Sequence, residues 1–95
     1  MTLEELRQKR DAILAIARRY GARDVRVIGS VARGDATEIS DLDLVVRFEP
    51  GCSLLDHGGL IMDLEELLGI RVDVISEAGM RRRFREHVLK EAVPL

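Results

Sequence analysis

The chain has 95 residues, 46% of them hydrophobic, with fifteen basic against seventeen acidic side chains and a net charge of −2. That length accommodates one modest core and predicts a single domain over residues 1–95, while the near-balanced charge argues against a basic face that tracks a nucleic-acid backbone. Tyr20, Phe48 and Phe84 make no ladder for stacking bases, the lone Cys52 excludes an internal disulfide or a Cys-based zinc site, and no apolar run reaches membrane-spanning length, so a cytoplasmic protein without direct nucleic-acid or membrane contact is expected.

The N-terminal MTLEELRQKR reads as a charged amphipathic helix rather than a signal peptide. Thr2 and Glu5 have capping-box spacing, and Leu3, Leu6, Ile13, Leu14, Ala17 and Tyr20 recur at helical intervals up to Gly21, which predicts one continuous first helix. DVRVI, residues 24–28, is short, β-branched and alternating: a strand with Val25 and Val27 on one face, ended by Gly29. Residues 30–33 read as a short helix closed by Gly34, and residues 35–40 as a polar loop. Residues 42–48 are nearly continuously apolar, as in a central strand, and Pro50-Gly51 ends the run.

Ser53 is the expected N-cap of a helix to Leu68, with Leu54, Leu55, Ile61, Leu64, Leu67 and Leu68 as its apolar stripe and Gly69 as its stop. Gly58-Gly59 weakens that helix locally, each glycine costing about 1 kcal/mol against Ala. RVDVI, residues 71–75, is a third strand, and a basic helix from about Gly79 to Ala92 ends before Pro94. The order αβαβαβα predicts an α/β (α+β) fold, a two-layer sandwich of a small mixed sheet with helices.

Gly29 has no side chain, so a phosphate can approach the backbone there, with the N–H groups of the turn and of the following helix start directed at it and the Ser30 hydroxyl beside them. Ten residues then separate Ser30 from Asp41, enough for a short helix and a loop to bring the chain back to the Gly-Ser turn. Asp41 and Asp43, two apart, face the same way in a strand, and two carboxylates so placed repel unless a cation joins them. Mg²⁺ takes carboxylate, water and phosphate oxygens, and a pair of such ions about 4 Å apart serves both the attacking and the leaving oxygen of a phosphoryl transfer. Asp73, between Val72 and Val74 in the third strand, is an acid expensive to bury without a cation or donor, which makes it the third candidate ligand and the general base.

Gly29-Ser30, the ten-residue spacing, Asp41-Leu42-Asp43 and the later strand acid Asp73 together resemble the nucleotidyltransferase superfamily typified by DNA polymerase β. The whole chain is similar to its minimal nucleotidyltransferases (MNT domains), including the antitoxins of HEPN/MNT toxin–antitoxin pairs. Gly29, Ser30, Ala32, Arg33, Gly34, Ser40, Asp41, Asp43 and Leu44 match the central motif, and LEELLG through VDV, residues 64–74, match its second half. The resemblance implies the nucleotidyltransferase fold and transfer of AMP from ATP, with two Mg²⁺ ions held by Asp41, Asp43 and Asp73. For the antitoxins it implies a tyrosine hydroxyl of the partner HEPN toxin as acceptor. Larger members carry an additional acceptor-binding domain; none is expected within these 95 residues, so acceptor recognition is expected from the partner.

The remaining motifs have plainer readings. Arg33 either contacts the triphosphate or makes a surface ion pair; Arg71 is placed to neutralise Asp73; Ser40 orients its loop by a local hydrogen bond. Arg81, Arg82, Arg83 and Arg85 form a solvated basic face, some of it available to an acidic partner. His57 and His87 lack a metal-ligand constellation, Cys52 has no catalytic neighbour at a defined spacing, and HVLKEAVPL at the C-terminus offers a docking segment for another chain. Two other functions fit the same residues: an antitoxin that acts by binding, with a vestigial nucleotide site, and nucleotide transfer to a small molecule such as an aminoglycoside.

Overall fold

The computed structural model describes all residues, 1–95. In place of one long first helix there are two, α1 (Leu3–Gln8) and α2 (Arg10–Arg19), broken at Lys9 (φ −102°, ψ 14°). Neither Pro nor Gly marks the break. It turns α1 toward the C-terminus, where Arg7 Nη2 donates to the Pro94 carbonyl at 2.8 Å, while Leu6 and Ile13 on its two sides both stay fully buried. Thr2 does cap α1, its hydroxyl oxygen accepting the Glu5 N–H at 3.1 Å.

Strand β1 (Ala22–Ile28) carries a bulge: its pairing slips between Arg23 and Arg26, and Asp24 adopts φ 52°, a left-handed conformation that Asp tolerates better than most residues. The extra residue lets Ala22, Val25 and Val27 all turn inward. The short helix α3 (Gly29–Arg33) ends on left-handed Gly34, and β2 (Leu42–Phe48) follows the loop. Ser53 and Asp56 form a reciprocal capping box at the start of α4 (Leu54–Leu68), which Gly69 terminates. Then come β3 (Val72–Ser76), a single tight turn at Glu77–Gly79, α5 (Arg82–Glu91) and a two-residue β4 (Val93–Pro94).

The sheet order is β3-β2-β1-β4, with β2 parallel to β3, and β1 antiparallel to both β2 and β4. The predicted small mixed sheet with helices is present, and β2 is an inner strand as its apolar run requires. β4 is the element the sequence did not announce. A strand of two residues leaves no periodicity to read, yet Val93 pairs with Val27 and buried Leu95 donates its N–H to the Val25 carbonyl. Of the C-terminal segment expected to be available for docking, the last three residues are thus held on the chain's own sheet, while His87, Lys90 and Glu91 on α5 stay exposed.

One face of the sheet carries the core. Val25, Val27, Leu42, Leu44, Val46, Val72 and Val74 pack there with Leu6, Ile13 and Ala17 from the first two helices and Leu60, Leu64 and Leu68 from α4. The stripe on α4 is thus Leu60, Leu64 and Leu68 with Ile61 and Leu67 packed beside them; Leu54 and Leu55, expected within it, are 88% and 86% exposed in the first turn. Gly59 touches the Tyr20 ring, whose hydroxyl donates to Asp63 at 2.6 Å, so this glycine is a packing site for α2 against α4.

Helix α4 also shields the free edge of β3, where the Val72 N–H donates to Glu65 at 3.1 Å and His57 Nε2–H donates to the Val74 carbonyl at 2.6 Å. His57 is a structural residue, stacked near Phe48 at 5.2 Å between ring centres. Cys52 fills the space over Gly21 and is equally structural. By alternation Asp43, Val45, Asp73 and Ile75 project from the opposite face.

Candidate active site

Three strand ends meet at the site. Ile28 of β1 is opposite Asp43 of β2, which in turn is opposite Asp73 of β3, so an antiparallel and a parallel pairing put the two carboxylates on adjacent strands and the same face. The chain leaves Ile28 through Gly29, at φ 74°, directly into α3. No other residue type fits that position comfortably, because the conformation is left-handed and a Cβ there would stand 2.5 Å from Asp43 Oδ2. The carboxylate of Asp43 therefore sits against the bare backbone of Gly29, the residue that opens α3, whose first N–H groups have no intrahelical partners.

Asp43 is half-buried, and its pKa is raised above the ordinary carboxylate value, first by burial and then by the charges of Asp73 and Asp41, with the Arg33 guanidinium acting in the opposite sense. Asp43 thus feels the charge of both other predicted acids. They are not equally placed: Asp41 precedes β2, half-exposed, and its nearest cation is Arg71 at 4.0 Å. Arg71 was expected beside Asp73 and instead faces Asp41. Asp73 itself is exposed, since β3 is an edge strand, so the expense of burial that first drew attention to it does not apply.

No three acidic, His or Cys side chains close into a ready-made metal chelate. The donor set is nevertheless of hard oxygens crowded with like charge, and Mg²⁺ is usually held by one or two carboxylates together with phosphate oxygens and water rather than by an all-protein cage. A hard divalent cation fits here as counter-charge to Asp43, on which the two neighbouring acids outweigh Arg33.

Around the acids, the loop is shaped by Ser40, whose Oγ accepts the Thr37 N–H at 2.9 Å, as its position before Asp41 suggested. Arg33 pairs with Asp35 at 3.4 Å, both largely exposed; the ion-pair reading is therefore realised in the free protein, with Arg33 still close enough to act on Asp43. Sequence reasoning missed Arg26 and Glu77. Arg26 occupies the same face as Val45, two pairings along from Asp43, and its guanidinium binds Glu77 in a mostly buried ion pair. The Arg26 guanidinium holds the Glu77 carboxyl below its usual range and pins the turn that follows β3. The alternation of β1 puts Arg26 opposite the core valines; only the non-local partner was hidden.

A family model of the nucleotidyltransferase domain matches residues 7–95. The chain is 40% identical over 98 residues to the protein adenylyltransferase MntA of Thermococcus cleftensis, covering 98% of this chain and 95% of that protein. A solved structure described as a minimal nucleotidyltransferase is 59% identical and superposes with a TM-score of 0.90, covering 100% of this chain and 97% of that one. The crystal structure of a toxin–antitoxin with AMP-PNP matches with a TM-score of 0.76 over 88% of this chain and 69% of that one; at 17% identity the likeness is one of fold.

Proposed function

The chain belongs to the nucleotidyltransferase domain family, and from that membership we propose that it transfers AMP from ATP to a hydroxyl of a partner protein, a tyrosine of a HEPN toxin, and so acts as an antitoxin. As a member of the family it is an enzyme of nucleotidyl transfer. The finer reading draws support from the adenylyltransferase name of its 40%-identical relative and from the fold shared with a toxin–antitoxin that carries AMP-PNP. The observation that carries it is the pairing of Asp43 with Asp73 beside the bare backbone of Gly29.

In this reading Gly29 and Ser30 receive the β- and γ-phosphates through backbone N–H groups and the Ser30 hydroxyl. Arg33 exchanges its pairing with Asp35 for a phosphate oxygen. Asp41, Asp43 and Asp73 would hold Mg²⁺, which supplies charge neutralisation at the phosphates when bound. Asp73, the exposed acid at the sheet edge, takes the proton of the acceptor hydroxyl. The acceptor oxygen then forms its bond to the α-phosphorus as the bond to the pyrophosphate oxygen breaks, in line.

Incubation with ATP, Mg²⁺ and the protein encoded beside it tests the proposal: the partner gains the mass of AMP less water. Loss of that gain in Asp41→Asn and Asp43→Asn ties it to the site, and transfer undiminished in both variants refutes the mechanism.

A further inference from the structure

A pocket of about 440 Å³ lies between the end of β3 and the start of α5, lined by Ile75, Met80 and Phe84 together with Ser76, Gly79 and Arg81. Ile75 shares a face with Asp73 and lies two residues further along the strand, a step of about 7 Å. The pocket therefore begins on the face that carries Asp73, one same-face step further along β3, the strand separated from Gly29 by β2. Its floor is fixed, because the turn at Glu77–Gly79 is anchored by the Glu77–Arg26 ion pair.

Of the three aromatic rings in the chain, Tyr20 is engaged by Gly59 and Asp63, and Phe48 is packed near His57. Phe84 has no such partner. It lines this pocket while 53% exposed, an outlay of apolar surface that the fold itself does not use. A flat ring, a thioether and a branched aliphatic side chain, with an arginine in the same lining, are the surfaces on which a heteroaromatic ring stacks.

We propose that this pocket holds the purine ring of the bound nucleotide. The inference rests on the nucleotidyl-transfer reading of the neighbouring acids. In a nucleotide the base is one ribose away from the α-phosphate, and the step from Asp73 to Ile75 matches that separation. With phosphates toward Gly29 and base between Ile75 and Phe84, the nucleotide lies across the row of acids and presents its α-phosphorus over Asp43 and Asp73.

The test uses the full chain labelled with ¹³C at its methionine methyls, titrated with MgATP and, separately, with magnesium tripolyphosphate, which has phosphates and no base. The Met80 methyl resonance shifts with MgATP, in step with binding measured by calorimetry, while Met62, 70% exposed on α4, does not move. Tripolyphosphate binds and leaves Met80 unmoved. Phe84→Ala weakens MgATP binding about tenfold, within what base–aromatic stacking contributes, leaves tripolyphosphate binding unchanged, and is rescued by Phe84→Trp.

MgATP binding that leaves Met80 unmoved and is insensitive to Phe84→Ala puts the base elsewhere and overturns the inference while nucleotide binding stands. An equal Met80 shift with tripolyphosphate overturns it too, as does a Phe84→Ala effect confined to the KM for the acceptor protein. Absence of any MgATP binding overturns both the inference and the reading on which it rests.

Discussion

Gly29 and Asp43 are in direct contact: the carboxylate lies over the glycine backbone so closely that a Cβ on residue 29 would meet Oδ2 at 2.5 Å, in a conformation (φ 74°) that already disfavours a side chain. Gly29→Ala is therefore expected to destabilise the fold by about 1–2 kcal/mol through the backbone alone and to push Asp43 off its position opposite Asp73. Denaturant unfolding and AMP transfer measured together check this. Transfer falls by more than the loss of folded protein explains.

The raised pKa of Asp43 has a consequence with a definite sign. The folded state holds this proton more tightly than the unfolded chain, so protonated Asp43 contributes stability below its ordinary pKa, and that contribution is lost as pH rises through its raised one. At neutral pH the cation-free protein carries ionised Asp43 against the charges of Asp73 and Asp41. Asp43→Asn should raise its thermal midpoint there. Addition of Mg²⁺ should then raise the midpoint of the native protein more than that of the variant, reversing or closing the gap. Thermal scans in chelator and in Mg²⁺, at neutral and acid pH, measure both effects.

Glu77 behaves in the opposite sense. Its pKa is lowered by the bond from Arg26, so the pair contributes stability above the ordinary glutamate range and loses it as pH falls through the lowered value. Glu77→Gln should cost about 1–2 kcal/mol at neutral pH, allowing for screening at the sheet edge. The difference from the native protein should shrink in acid. Urea unfolding at the two pH values is the measurement.

The glycine pair in α4 separates packing from propensity. A Cβ on Gly59 would meet the Tyr20 ring at 2.5 Å, whereas one on Gly58 meets nothing within 4 Å. Gly58→Ala should stabilise the protein by about 0.5–1 kcal/mol. Gly59→Ala should destabilise it by about 1–3 kcal/mol by overpacking. Equal effects from the two would contradict the packing described between α2 and α4.

Much of the fold is local and was legible in the sequence. The caps at Thr2 and Ser53, the stops at Gly34 and Gly69, and the strand at Leu42–Phe48 depend on residues within a few positions of each other. What escaped was set at a distance. Lys9 breaks the first helix because α1 must reach Pro94, and β4 exists because β1 offers two residues a free edge. The stripe on α4 was misread at Leu54 and Leu55, since helical spacing does not reveal that the first turn lies off the sheet.

The candidate site divides in the same way. Gly29, Ser30, Asp41 and Asp43 form one stretch whose spacing is readable, but the register that sets Asp73 against Asp43 comes from the α4 crossover and is visible only in three dimensions. Asp73 was selected as an acid costly to bury and turns out exposed on an edge strand; its place beside Asp43 is the better reason to choose it. Arg26 and Glu77, fifty-one residues apart, left no local signal at all.

The most direct measurement of the central claim is intact-mass analysis of the neighbouring partner protein after reaction with ATP and Mg²⁺, run in parallel with the native chain and with Asp43→Asn and Asp73→Asn. The account predicts a gain equal to AMP less water with the native chain, localised to a tyrosine, and at least about a hundredfold slower gain with either variant, as expected when a group acting in the transition state is removed. A partner that is neutralised without any gain in mass, or modified equally by all three proteins, would contradict it.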